Sequence, residues 1–105
     1  MRGGGVSASA LSPEAAVAWM SSLSIDLRAL AVLDASGAVL AGDAALGERA
    51  ATALAANPDA ASLEAGDLLA VRSSRHAVAA AVGPLALRRL TRSDLAAAAA
   101  ALDGP

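Results

Sequence analysis

The sequence predicts an α/β (α+β) sandwich: a central antiparallel sheet of four to five strands with helices on its faces, in the order α-β-β-α-(β)-β-β-α. Three observations predict it. The stretch from Ile25 to Asp43, IDLRALAVLDASGAVLAGD, reads as two apolar strands joined by a tight turn. Two later runs, Asp67 to Arg72 and His76 to Gly83, read as strands joined only by Ser73-Ser74-Arg75. So short a link leaves no room for a crossover, which makes the pairs antiparallel. Around them lie three alanine-rich stretches with helix start and stop signals.

The first helix opens at Ser12-Pro13-Glu14 and runs to about Ser22. Ser12 suits the N-cap, and Pro13 suits the first helical position, where its missing N–H costs nothing. Val17, Met20 and Leu23 form the apolar stripe, with Ala16 alongside. Trp19, the one aromatic residue in the chain, lies off that stripe, and burial over the sheet is favoured for it over a place in an interface. The strands follow at about 26–34 and 38–42. Leu27, Ala29, Ala31 and Leu33 share one side; Arg28, Leu30, Val32 and Asp34 share the other. Both sides are largely apolar, which predicts a central strand pair. In the turn, Asp34 can accept bonds from the backbone ahead of it and Gly37 can take φ > 0.

A second helix is expected over about Ala45 to Ala56, stopped by Asn57-Pro58. Residues 58–66 read as a loop or as one short edge strand near Ser62–Glu64. The last strand carries His76, Val78, Ala80 and Val82 on one face and ends at Pro84. Leu85 to Leu90 reads as a helical turn. Thr91 and Asp94 then have the spacing of a capping box for a final helix to about Leu102. Leu95, Ala98, Ala99 and Leu102 form its stripe.

The 105 residues fit one domain, residues 12–105, behind a flexible lead, residues 1–11, that holds Gly3-Gly4-Gly5. A chain of this length buries roughly two-thirds of its unfolded surface. Yet 32 of its 59 apolar residues are alanine, each contributing about one methyl to the core. A thin core and a marginal monomer are expected, so self-association would add stability. The net charge of −2 gives no argument for nucleic acid or an anionic membrane, and neither is expected as a partner. The chain has no cysteine, which excludes a disulfide frame and thiol chemistry and allows a cytoplasmic location. No signal peptide is read after Arg2, and no stretch of about 20 residues is apolar enough to span a bilayer.

The helix, then LRALAVLDASGAVLAGD, then an alanine-rich helix, then DLLAVRSSRHAVAAAVGP and a closing helix, resembles the Roadblock/dynein light-chain superfamily, most of all its short bacterial members. The matched features are the Asp34–Gly37 turn, the strand Leu69 to Arg72, and the strand ending Val82-Gly83-Pro84. The resemblance spans about residues 12–102 and implies a Roadblock/profilin-like fold without catalytic residues. It also implies a homodimer that binds or regulates a Ras-like small GTPase, or a scaffold subunit in a larger assembly. In that family the third strand and second helix commonly form the dimer contact.

Candidate sites are few. His76, the single histidine, lacks the partners a metal centre needs. A Ser-His-Asp set can be written from Ser73 or Ser74, His76 and Asp67, but no nucleophile turn accompanies it. No phosphate loop is present, and no enzyme activity, cofactor or metal is expected. Arg72, Arg75, Arg88, Arg89 and Arg92 form a basic patch, read either as a contact for an acidic partner or as a solvated face. Leu46, Ala50, Ala53 and Leu54 on the second helix are either sheet-facing core or a dimer contact. A second functional class stays open: a profilin-like or PAS-like small-molecule sensor with a ligand between sheet and helix.

Overall fold

The computed structural model describes residues 11–23 and 25–104. Among the described residues three helices and five strands follow one another as α1 (Pro13–Leu23), β1 (Leu27–Asp34), β2 (Val39–Gly42), α2 (Ala44–Ala56), β3 (Ser62–Ala65), β4 (Leu68–Arg72), β5 (His76–Val82) and α3 (Arg88–Asp103). The strands form one antiparallel sheet in the order β2-β1-β5-β4-β3. Helices α1 and α3 cover one face, and α2 covers the other. The segment after the second helix forms a four-residue strand, Ser62–Ala65, at the edge of the sheet. Among the described residues no helix is long and apolar enough to cross a membrane.

The alternation of each strand decides which side chains meet which helix. Leu30 and Val32 of β1, Leu69 and Val71 of β4, and Val78, Ala80 and Val82 of β5 point to the α1/α3 face. There they pack on Ala16, Met20, Leu95, Ala98, Ala99 and Leu102. Ala31 and Leu33, with Leu68, Ala70, Ala77, Ala79 and Ala81, point to α2 and meet Leu46, Ala50 and Leu54. β1 is therefore central and buried on both faces. β2 is a half-exposed edge rather than the second member of a central pair. Two bulges adjust the expected sides. One, between Leu27 and Ala29, turns Leu27 to the α1/α3 face, away from the side expected from alternation. Another shifts the β1–β2 register between Val32 and Leu33, so Leu40 has no opposing residue.

Local chemistry fixes the ends of the elements. The Ser12 hydroxyl accepts the Ala15 N–H at 3.1 Å. In the hairpin turn, Asp34 Oδ1 accepts the N–H of Ser36 at 2.9 Å and of Ala38 at 3.0 Å, and Gly37 takes φ 91°. The Asp43 carboxylate caps α2 by accepting the Leu46 N–H at 2.8 Å. The final helix begins four residues earlier than the capping box at Thr91 requires. Thr91 already donates its N–H to the Leu87 carbonyl and is buried on the sheet-facing side. Leu87 stands at the N-cap position without a side-chain cap. The expected box fails because Thr91 continues the stripe of Leu95, Ala98 and Leu102, and packing outweighs capping there.

Residues 1–10 of the expected flexible lead lie outside the described residues. Leu11 belongs to the domain: its N–H donates to the Ala101 carbonyl at 3.0 Å, and its side chain packs on the core.

Candidate functional site

The five arginines expected to form one basic patch divide among three tasks. Arg72, at the end of β4, reaches the C-terminus of α2. Its guanidinium donates to the carbonyls of Leu54 (2.7 Å), Pro58 (2.6 Å), Ala60 (3.2 Å) and Asn57 (3.3 Å). A helix end leaves its last carbonyls without partners, and a planar cation with five donors can satisfy several at once. Arg72 is thus the clamp that closes α2, which corrects its assignment to a free contact patch. Arg75 donates to the Asp103 main-chain carbonyl at the end of α3.

Arg88 and Arg92 are four apart on α3 and converge on Glu64 of β3, at 3.2 and 3.0 Å. Arg89 is exposed and makes no ion pair among the described residues. Helix spacing brings Arg89, Arg92, Ser93 and Ala96 to one face of α3. With Ser62 and Val71 from the sheet they border an open groove of about 500 Å³.

The second-helix residues are settled by burial. Leu46, Ala50 and Leu54 are packed into the sheet, and Ala53 is half-buried beside them. They belong to the core, because the alanines opposite leave the helix no other filler. That corrects their place as contact candidates.

His76 lies where the last strand starts, but its carboxylate partner is Asp103, not Asp67. His76 Nδ1 is 2.8 Å from Asp103 Oδ1. The same carboxylate accepts the Ser73 hydroxyl at 3.0 Å and the N–H groups of Ser74 (3.0 Å) and Arg75 (3.2 Å). Hydrogen bonding to His76 first, then to Ser73 and these amides, holds Asp103 below the usual carboxylate range. Ser73 bonds the carboxylate, and among the described residues no hydroxyl is aligned on the imidazole as a nucleophile would require. The cluster ties the end of α3 to the β4–β5 turn. Asp67 instead pairs with Arg49 of α2 at 2.7 Å, and that guanidinium holds its carboxyl low. Among the described residues no three His, Asp or Glu side chains gather as a metal site would need.

A second surface was missed in the sequence. Asp26 sits at φ 55°, its carbonyl accepts the Gly83 N–H at 2.9 Å, and its carboxylate accepts the Leu85 N–H at 2.9 Å. That lock holds the chain just after Ile25 against the backbone at Leu85. Val17 and Ser21 line the β1–β2 side of α1, so Trp19 and Leu23 occupy its opposite flank, toward α3. Arg88 and Arg92 reach toward β3, so Leu87 and Leu90 occupy the flank of α3 that faces α1. Helix spacing and the Asp26 lock thus put six large apolar side chains on this side of the helix layer, each between 39% and 74% exposed. Trp19 is part of this seam rather than buried over the sheet. The available signal was the run Leu85, Leu87 and Leu90, which does not fit the buried stripe of α3.

The fold defines this chain as an α+β sandwich with one open, five-stranded antiparallel sheet. Compared with known proteins, it matches no family model, no curated protein and no solved structure.

Proposed function

We propose that this chain is a non-catalytic, cytoplasmic interaction module of Roadblock type. It forms a homodimer and binds or regulates a Ras-like small GTPase, or serves as a scaffold subunit. The observation that carries the reading is the exposed seam of Trp19, Leu23, Ile25, Leu85, Leu87 and Leu90. Among the described residues, a chain so poor in large apolar side chains leaves seven of them exposed, six of them on this side of the helix layer, and exposed apolar surface of that kind marks contact sites. The third strand after the second helix, at an open edge, supports the family resemblance. The sensor reading draws less support, since Met20, Leu69 and Leu95 fill the space between the sheet and the α1/α3 layer.

Sedimentation across a dilution series tests the dimer. A dimer mass that persists at low micromolar concentration is expected, with Leu87→Ser and Leu90→Ser together shifting it to monomer. A wild-type monomer at all concentrations would overturn the dimer. Pull-down with a purified Ras-like GTPase in its two nucleotide states tests the partner separately; retention in neither state would remove the GTPase.

A further inference from the structure

We propose that Asp26 is the positioning residue of the apolar seam. Seated against the link between β5 and α3, it holds the turn at Ile25 and residues 83–87 in one arrangement before a second copy arrives, and the strength of the dimer depends on it. This rests on the reading of the seam as the dimer contact and names the residue that preforms it.

The backbone sets Asp26 apart. Among the described residues it is the one non-glycine residue at positive φ, 55°. Side chains other than that of glycine avoid this region, and aspartate is among the few that tolerate it. Such a conformation persists only where the surroundings impose it, and it gathers at contact and switch sites. Here it turns the chain so that Leu27 packs on the core while Ile25 stays exposed.

The surroundings that impose it lie far along the sequence. The Asp26 carbonyl accepts the Gly83 N–H at 2.9 Å, and carboxylate Oδ2 accepts the Leu85 N–H at 2.9 Å. The same carboxylate fills the space where a side chain at position 83 would stand. Gly83 is buried and its φ is not positive, so no turn geometry asks for glycine there; the carboxylate does. The link beyond has little other hold. Pro84, Leu85 and Leu87 are exposed, Ala86 is half-buried, and α3 starts without a side-chain cap. Left loose, these residues would be ordered only as the contact forms, and freezing the backbone of one residue weakens association about tenfold. With the carboxylate seated, that ordering is complete on folding. Arg28 adds little to the seat, since it meets Oδ1 at 3.3 Å and Leu85 is held by Oδ2.

The test is the dimer dissociation constant by sedimentation, beside urea unfolding and amide exchange. Asp26→Gly keeps the positive φ and the carbonyl bond and removes only the carboxylate. It should weaken the dimer about tenfold or more while the urea midpoint holds, because glycine relieves the backbone strain. In the Leu87→Ser, Leu90→Ser background, where a dimer cannot mask the effect, amide exchange should speed up at Leu85 and stay slow at Gly83. Asp26→Asn retains an oxygen acceptor and should dimerise within about threefold of wild type, and Arg28→Gln should dimerise like wild type. Gly83→Ala unseats the carboxylate from the other side. It should match Asp26→Gly and add nothing in that background, as coupled sites do. A wild-type dimer that Leu87→Ser and Leu90→Ser disrupt but Asp26→Gly leaves intact would overturn this proposal alone. So would a loss in Asp26→Asn equal to that in Asp26→Gly, a full additive cost of Gly83→Ala, or a urea midpoint that falls in step with the dimer. A wild-type monomer, or a dimer indifferent to the two serine substitutions, would remove the seam reading and this proposal with it.

Discussion

The two faces of the sheet are built on different terms. Under α1 and α3 the contact is made by Met20, Leu30, Val32, Leu69, Val78, Leu95 and Leu102. Under α2 the sheet offers mostly alanine: Ala31, Ala70, Ala77, Ala79 and Ala81. Small side chains let α2 approach closely, and Gly47 is buried against Val39. They also bury little apolar area, and burial stabilises roughly in proportion to that area. The lesson is that α2 leans on polar closure where the other face leans on packing. Its start is capped by Asp43 and its end by Arg72, whereas α3 has no side-chain N-cap.

The largest expected effect breaks the packed face. Leu95→Ala, at a fully buried site among large neighbours, should cost about 3–5 kcal/mol. Leu54→Ala on the alanine face should cost less, about 2–3 kcal/mol, since there is less to lose and α2 can settle inward. Urea unfolding of both variants reads the difference; equal losses would erase the contrast between the faces.

Next is the clamp. Arg72→Met keeps the aliphatic stem but takes the guanidinium donor from four carbonyls, of which those of Leu54 and Asn57 keep a backbone N–H, and about 2 kcal/mol should be lost. Hydrogen exchange should speed up in the last turn of α2 and leave α3 unaffected. Uniform acceleration throughout the chain would show that the clamp serves the whole fold.

Gly47→Ala sharpens the close approach. A Cβ there would overlap the Val39 side chain, a short β-branched group that cannot swing aside. Better helix propensity returns part of the loss, leaving a net cost of about 1 kcal/mol. In a Val39→Ala background the same substitution should become neutral or stabilising, as a thermal melt of the double variant would show.

These features divide by what a sequence can carry. The hairpin was legible because Asp34 and Gly37 act within a few residues of themselves. The helices were legible because alanine and periodicity speak locally. The clamp was not, because Arg72 meets its carbonyls 12 to 18 residues away, and no pattern marks an arginine that serves a backbone. Asp103 was missed for the same reason, lying 27 residues from His76. Leu46, Ala50 and Leu54 were ambiguous because core and contact residues are the same types; only the burial against the sheet separates them.

Acid should loosen the molecule at its polar ties. Asp26, Asp34, Asp67 and Asp103 are all held below the ordinary carboxylate value of 3.8. The unfolded chain therefore takes up protons first as pH falls. The stability these groups contribute is present above that value and is lost as pH drops through their lower folded values. Melting temperature should fall from pH 5 toward pH 2, and less steeply in Asp103→Asn. An identical slope in that variant would remove Asp103 from the set.

The smallest expected effect lies at Thr91. It is the one buried polar side chain among the described residues, 3% exposed on the packed face beside Leu95 and Ala98. Among the described residues its hydroxyl makes no hydrogen bond to another side chain, and its N–H serves the helix. A buried hydroxyl without a strong partner costs free energy, while valine has nearly the same shape and needs no partner. Thr91→Val should therefore be neutral or stabilising by up to about 1 kcal/mol, where an ordinary core hydroxyl would make the same change costly. A clear loss in the urea midpoint would show that this hydroxyl bonds the helix backbone. The packed face would then depend, like the alanine face, on a polar tie.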